Sequence, residues 1–329
     1  DELANLFEEV EEINGGETAT IFEMLTACFL YKAAQYPENI NLVESGLFHR
    51  FDATNVFKNN LASVVCAISR DHIDWLPEND RTVERIVFEK TSSLLNSNII
   101  VAKQRDKETM ECIKKTISKN QSNKYFFNED FSFTNEENGY WYYEDKFGGL
   151  KLETPNVLGQ FQLENISTAI ATLRTLELGI SDNHIKKGIT KIKSIARLQE
   201  IKSGKLKDLV KNNKLIVDGS HNEHGAQVLN EYLETLDCNK HIICSMMSNK
   251  DHEKFISYFK KISSLTVTEM STQPNAIKGK DLLEKFKSIP NVYYQENIEQ
   301  AIRSIPLKEG DLIIVTGSLY FASEVLKLN

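Results

Sequence analysis

The sequence predicts an α/β protein of two domains, the first on a mainly parallel sheet and the second a doubly wound, Rossmann-like sheet. Three observations predict it. Short apolar runs alternate with amphipathic stretches along most of the chain, which is the pattern of βαβ units. At 329 residues the chain is longer than one hydrophobic core ordinarily organises. Hydrophobic residues at 41% and charged residues at 26% sit near globular averages, so both domains have enough apolar material for a core.

The elements follow in order. Residues 1–14 (DELANLFEEVEEIN) are acidic with apolar residues at helical spacing and predict a solvated helix. Because the first residue is Asp1, the chain is expected to begin inside a longer protein. Helical spacing continues from Ile21 to Tyr36. Three runs then predict strands: 39–45 (NINLVES), 62–69 (ASVVCAIS) and 98–103 (NIIVAK), with a helix over 80–95 between the last two. Residues 125–158 alternate aromatic and polar side chains around Asn138-Gly139, an antiparallel hairpin region. Helices are expected over 161–177 and 181–192, the second opened by Ser181 or Asp182. A boundary near Lys191–Ala196 divides the chain into domains 1–190 and 191–329. Beyond it the alternation is cleaner. Strands are expected in KLIVDGS (214–220), HIICSMM (241–247), SLTVTEM (264–270), VYYQ (292–295) and DLIIVTGS (311–318). Helices fall between them, one capped by Asp251, and a last helix closes the chain.

Charge and cysteine usage narrow the function. A net charge of −8 disfavours non-specific nucleic-acid binding. No apolar run has the length of a membrane span, and residues 1–30 carry no signal-peptide pattern. The five cysteines form no C-x-x-C pair and no zinc-like spacing. Cys28, Cys66 and Cys244 lie in apolar segments, where a reduced thiol behaves as a small hydrophobe, and a cytoplasmic setting follows.

In open α/β sheets ligands gather at the carboxyl ends of strands. Four such places carry polar residues. Glu44, followed by Gly46 and Arg50–Asn55, suits a Mg²⁺ ligand beside phosphates as well as it suits a loop cap. His72, in Ser69-Arg70-Asp71-His72, is either a cation ligand or acid/base, or a hydrogen-bonded loop histidine. Asp218-Gly219-Ser220-His221-Asn222 offers backbone N–H groups and a helix N-terminus to an anion. Thr316-Gly317-Ser318 is foremost a helix cap. Neither G-x-x-x-x-G-K-[ST] nor G-x-G-x-x-G occurs, which leaves a dinucleotide oxidoreductase little support.

Taken in order, these segments resemble the folylpolyglutamate/dihydrofolate synthase branch of the Mur ligases. FEMLTACFLYKA and LVESGLFHRFDATNV resemble the family's Phe-Glu helix and its E-x-G-L-G-G-R-x-D-A-T-N run. ISRDHIDWL, VERIVFEKTSSL, GQFQLENISTAIA, ARLQEI, LIVDGSHNEHGA, MMSNKDHEKF and VTGSLYFASEVL match later family segments, so the resemblance spans about residues 20–327. Three positions depart from it: Phe48-His49 stands for Gly-Gly, Ala196 for a glycine and Glu223 for a proline. The resemblance implies a Mur-ligase-like ATPase domain over 1–190 and a ligase domain over 191–329. It implies ATP-dependent transfer of L-glutamate to dihydropteroate or to the γ-carboxylate of a folate, through an acyl phosphate, by a monomer.

Residue by residue, the resemblance implies that Glu44 and His72 are Mg²⁺ ligands and that Lys90 is a carbamylated lysine. It makes Asp52 and Ala53 folate-side contacts. Asn165, Arg197, Asp218 and His221 become ATP-side contacts, with Arg197 also serving the transferred phosphoryl group. Ser318 and His221 become the face for incoming glutamate. Lys90, His72 and Arg197 are thus the expected catalytic group. The family's phosphate loop lies upstream of Asp1, so the chain by itself is expected to be inactive. Two other readings stay open: another Mur-type amino-acid ligase, and a non-catalytic relative that binds folate or nucleotide.

Overall fold

A computed structural model describes residues 2–135 and 139–329. Packing divides the chain into two compact units, the first ending at Asp130 and the second running Phe131–Asn329. The boundary expected at 190–191 therefore falls inside the second unit, in the connection between its hairpin-and-helix part and its large sheet.

In the first unit, α1 (Glu2–Asn14) and α2 (Ile21–Ala33) pack together. A capping box opens α2: the Thr20 hydroxyl accepts from the Glu23 N–H, and the Glu23 carboxylate accepts from the Thr20 N–H at 2.7 Å. The core is a three-stranded sheet in the order β1 (Ala62–Val65), β2 (Asn98–Val101), β3 (Lys124–Phe126), all parallel. Helices α3 (Val83–Thr91) and α4 (Lys107–Thr116) supply the crossovers. They share one apolar cluster with Val65, Ile99 and Val101.

Two expectations fail here. The run 39–45 is not a strand: Leu42 is 94% exposed, so the apolar spacing finds no burial and no neighbouring strand. Residues 124–126 pair in parallel with β2, not within the hairpin, because the alternating aromatic run spans two elements. Cys66 also departs from expectation: it lies just past the end of β1 and is exposed, whereas Cys28 and Cys244 are buried.

The second unit begins with an antiparallel sheet, β4 (Phe131–Asn135), β5 (Tyr140–Asp145) and β6 (Gly148–Glu153). The Asn138 half of the expected turn lies outside the described residues. Helices α5 (Gln160–Thr175) and α6 (Asp182–Ile189) pack on this sheet. Arg174 of α5 binds it through Asp145 and the Gly148 carbonyl, each at 2.9 Å. Ser181 caps α6 as expected.

The large sheet has the order β11-β10-β9-β12-β8-β7. Five strands are parallel: β8 (Lys214–Val217), β9 (Lys240–Cys244), β10 (Ser264–Thr268), β11 (Val292–Gln295) and β12 (Leu312–Thr316). A two-residue strand absent from the expected set, β7 (Gln199–Glu200), pairs antiparallel with β8 at the edge. One face packs on α7 (Lys205–Val210), α11 (Ile298–Ser304) and α12 (Leu319–Leu328). The other packs on α8 (Glu223–Glu234), α9 (His252–Ile256) and α10 (Gly279–Phe286). Burial on both faces explains the unbroken apolar runs of β9 and β12. The helix after β8 leaves toward one face, and the helix after the adjacent β12 leaves toward the other. Their carboxyl ends therefore form a topological switch point.

Candidate active site

In the first unit, the loop after residue 44 is folded against α3. The Arg50 N–H donates to the Glu89 carbonyl at 3.0 Å, and the Arg50 guanidinium forks onto the Glu89 carboxylate with two bonds of 2.8 Å. Arg85 meets the same carboxylate at 2.6 Å. Burial works to raise the Glu89 pKa, but the two guanidiniums prevail and hold it below the usual value. Glu89 was not anticipated from the sequence, because its partner Arg50 lies 39 residues away.

Within this loop Asp52 accepts from the Leu47 N–H (2.8 Å), the Thr54 N–H (3.0 Å) and the Thr54 hydroxyl (2.6 Å). Burial opposes ionisation, but these donors lower its pKa on balance. Ala53 lies in the turn that they shape. The Thr54 hydroxyl also reaches Ser45 (3.5 Å), whose hydroxyl lies 3.3 Å from His49 Nδ1. Gly46 is pressed by Phe22: a Cβ there would lie 2.5 Å from the ring Cζ.

Lys90 stands half-buried on α3, with its ammonium 5.8 Å from the centre of the Phe48 ring. Burial lowers its pKa, and Asp71, Cys66 and Asp52 act in the opposite sense. The Phe48 ring meets His72 edge-on at 6.3 Å between centroids. Cys66 lies within electrostatic reach of both Glu44 and Lys90. Glu44, His72 and Lys90 are therefore linked through shared neighbours, Phe48 and Cys66. His72 has a left-handed backbone (φ +56°) and its Nε2 lies 3.8 Å from Asp71. Among the described residues no three His, Cys, Asp or Glu side chains form a ready-made metal cluster. A Mg²⁺ held by Glu44 and His72 would have to keep waters and phosphate oxygens in the rest of its shell.

In the second unit, the switch point gathers Arg197, Asp218, His221 and Ser318. Asp218 is 3% exposed, and its two oxygens accept from the Leu198 N–H (2.8 Å) and the Ser220 N–H (2.9 Å). Ala196 and Leu198, on either side of Arg197, are both left-handed (φ +53° and +49°). The Gly219 N–H donates to the Ala196 carbonyl at 2.7 Å, and a Cβ on Gly219 would lie 2.9 Å from Arg197 Nη1. The exposed Arg197 thus lies along the bare backbone after β8. His221 Nδ1 lies 2.9 Å from the Gly219 carbonyl. The Gly317 N–H donates to the Ser220 carbonyl at 2.9 Å, joining the two strand-end turns. Ser318 caps α12, accepting from the Tyr320 N–H at 3.1 Å. Asn165 lies exposed on α5, and no hydrogen bond among the described residues joins it to this group.

Residues 197–319 match the Mur ligase glutamate ligase domain. Over 94% of its length the chain is 28% identical to the dihydrofolate synthase/folylpolyglutamate synthase of Bacillus subtilis, covering 72% of that protein. Over nearly its whole length the chain is similar to dihydrofolate synthase/folylpolyglutamate synthases. Solved family members agree in fold. Escherichia coli FolC in complex with ADP superposes with a TM-score of 0.83 at 25% identity, covering 98% of this chain and 74% of that one. FolC in complex with DHPP and ADP gives 0.82 at 25% identity with the same coverage. Against the family pattern, this chain's Phe48 occupies a left-handed position (φ +55°) of the kind that glycine tolerates without cost.

Proposed function

We propose that the chain is an ATP-dependent carboxylate–amine ligase acting in folate biosynthesis, adding L-glutamate to dihydropteroate, to the γ-carboxylate of folates, or to both. The observation that carries this reading is the switch point between β8 and β12, where an exposed arginine, bare backbone and a helix N-terminus converge. The relatives' names and the ADP and DHPP bound to FolC support it. We assign residues 1–190 to the ATP and acceptor side and 191–329 to the ligase side, in a monomeric cytoplasmic protein.

The chemistry has two steps. The acceptor carboxylate takes the γ-phosphoryl group of ATP, releasing ADP. The glutamate amine then attacks the acyl carbon, phosphate departs, and the amine loses a proton. Phosphorylation supplies the leaving group that a carboxylate lacks, and catalysis rests on positioning and charge neutralisation. Glu44 and His72 would hold Mg²⁺, which would neutralise phosphate charge. Burial makes Lys90 readier to shed its proton than a solvated lysine, and the neutral amine is the form that adds CO₂ to become a carbamate. Arg197 meets developing phosphoryl charge. Asp218 acts on the nucleotide's surroundings by fixing the turn that Arg197 follows, and Asn165 contacts the nucleotide. His221 and Ser318 face incoming glutamate, and Asp52 and Ala53 shape the folate side.

The test is ADP release by the full-length protein with Mg²⁺, ATP, L-glutamate and either dihydropteroate or tetrahydrofolate. ADP formation should require both the acceptor and glutamate. ADP release indifferent to either one would defeat the assignment.

A further inference from the structure

Phe48 combines three observations that the ligase reading leaves unused. Its backbone is left-handed (φ +55°), a conformation that strains a residue with a side chain. Such strain persists where the surroundings hold it in place. Here they do: two residues on, Arg50 is fastened to α3 by its own N–H and by a two-pronged contact with Glu89. Third, the ring packs at the edge of the first unit's apolar cluster and lies near two expected catalytic side chains, 5.8 Å from the Lys90 ammonium and 6.3 Å edge-on from His72. A glycine here would relieve the backbone and leave that space open.

We infer that Phe48 is a specificity-determining residue, an aromatic wall beside the reacting carboxylate that favours an aryl carboxylate acceptor over a γ-glutamyl one. This rests on the ligase reading, in which the acceptor carboxylate reacts beside Lys90 and His72. In dihydropteroate the carboxylate is attached directly to a benzene ring, so an aromatic neighbour follows the reacting group into the site. Aromatic pairs gain energy beyond their buried area. In a γ-glutamyl acceptor the reacting carboxylate ends an aliphatic chain bearing a second, charged carboxylate close by. An apolar ring offers that charge no hydrogen bond, and its loss of water goes uncompensated. The wall therefore discriminates twice, by attracting one acceptor and by failing to solvate the other. The protein would add the first glutamate more readily than it extends a tail.

The experiment compares kcat/KM for dihydropteroate and for tetrahydrofolate in the full-length protein and its Phe48→Gly and Phe48→Leu variants, with thermal melts alongside. Phe48→Gly should lower the dihydropteroate-to-tetrahydrofolate ratio by roughly 2- to 12-fold, the range expected from one lost aromatic contact. Phe48→Leu keeps the apolar bulk without the ring and should fall between. The inference is overturned if both variants melt as folded proteins and the ratio stays put or rises. If Phe48→Gly fails to fold, Phe48→Leu alone decides: an unchanged ratio overturns the inference and a lowered one supports it. Absence of turnover with either acceptor in the unaltered protein would instead overturn the ligase reading, and this inference with it.

Discussion

Replacing Asp218 with alanine should destabilise the second unit sharply, and the size follows from the carboxylate's two contacts. Its oxygens accept from the Leu198 and Ser220 N–H groups at 2.8 and 2.9 Å, and the residue is 3% exposed. Alanine strands both donors, the Leu198 N–H in the buried interior and the Ser220 N–H at its edge. Each unsatisfied donor costs about 1–3 kcal/mol, so the pair should cost roughly 2–6 kcal/mol. In a unit of this size that lowers Tm by roughly 4–24 °C. An asparagine side chain would keep one acceptor and turn an NH₂ toward the other donor, so Asp218→Asn should fall between wild type and alanine. Calorimetry measures the loss, and amide exchange localises it: Leu198 and Ser220 should lose protection first. An alanine variant within about 1 kcal/mol of wild type, with both amides still protected, would show that other groups satisfy these donors.

Three further outcomes are expected. Gly317→Ala should cost roughly 2–6 kcal/mol, combining backbone strain with overpacking, because φ is +108° and the new Cβ would lie 2.5 Å from the Ser245 carbonyl oxygen; a calorimetric change under about 1 kcal/mol would contradict this. The two guanidiniums hold the Glu89 pKa below the ordinary 4.5 of a glutamate, so the stability linked to its ionisation is present above that pH and lost as pH falls through the folded-state value. Urea unfolding of Glu89→Gln from neutral to acid pH should therefore show a shallower acid limb than wild type, and parallel limbs would refute the linkage. The Lys90 pKa is lowered, so its neutral amine, and with it a carbamate, should appear at lower pH than on surface lysines. In ¹³C-bicarbonate NMR this resonance should vanish in Lys90→Arg, and a signal that survives the substitution would place the carbamate elsewhere.

How far the fold could be read in advance depended on burial. KLIV, HIIC and LIIV are covered on both faces, so their apolar runs announce strands without ambiguity. Ser181 and Asp251 were readable as caps because a cap acts on a backbone N–H only a few residues ahead. NINLV shows the same local pattern as a strand but lies in solvent, and pairing is a tertiary fact that spacing does not encode. Polar Gln199–Glu200 becomes a strand only because β8 offers an edge. At the site, Asp218 and Ser318 were visible as the places where strands stop. The double guanidinium contact on Glu89 was not, since its anchor comes from a loop far away in sequence. The position of Phe48 could be flagged as unusual, but its left-handed backbone and its two neighbours required coordinates.

The place of β12 in the large sheet has a bearing on how the protein is made. It is the last of the six strands to leave the ribosome, yet it lies between β9 and β8 and pairs with both. Until residues 312–316 emerge, β8 has no parallel neighbour and β9 presents a bare edge, with their apolar faces only partly covered. A nascent chain in that condition is a client for chaperones and a target for proteases. Closure of the sheet should therefore come late and in one step, with the same segment that completes the barrier to aggregation also setting Ser318 in place. A stop codon a few residues before 312 would do more than shorten the protein; it would leave the half-sheet open and route the product to degradation.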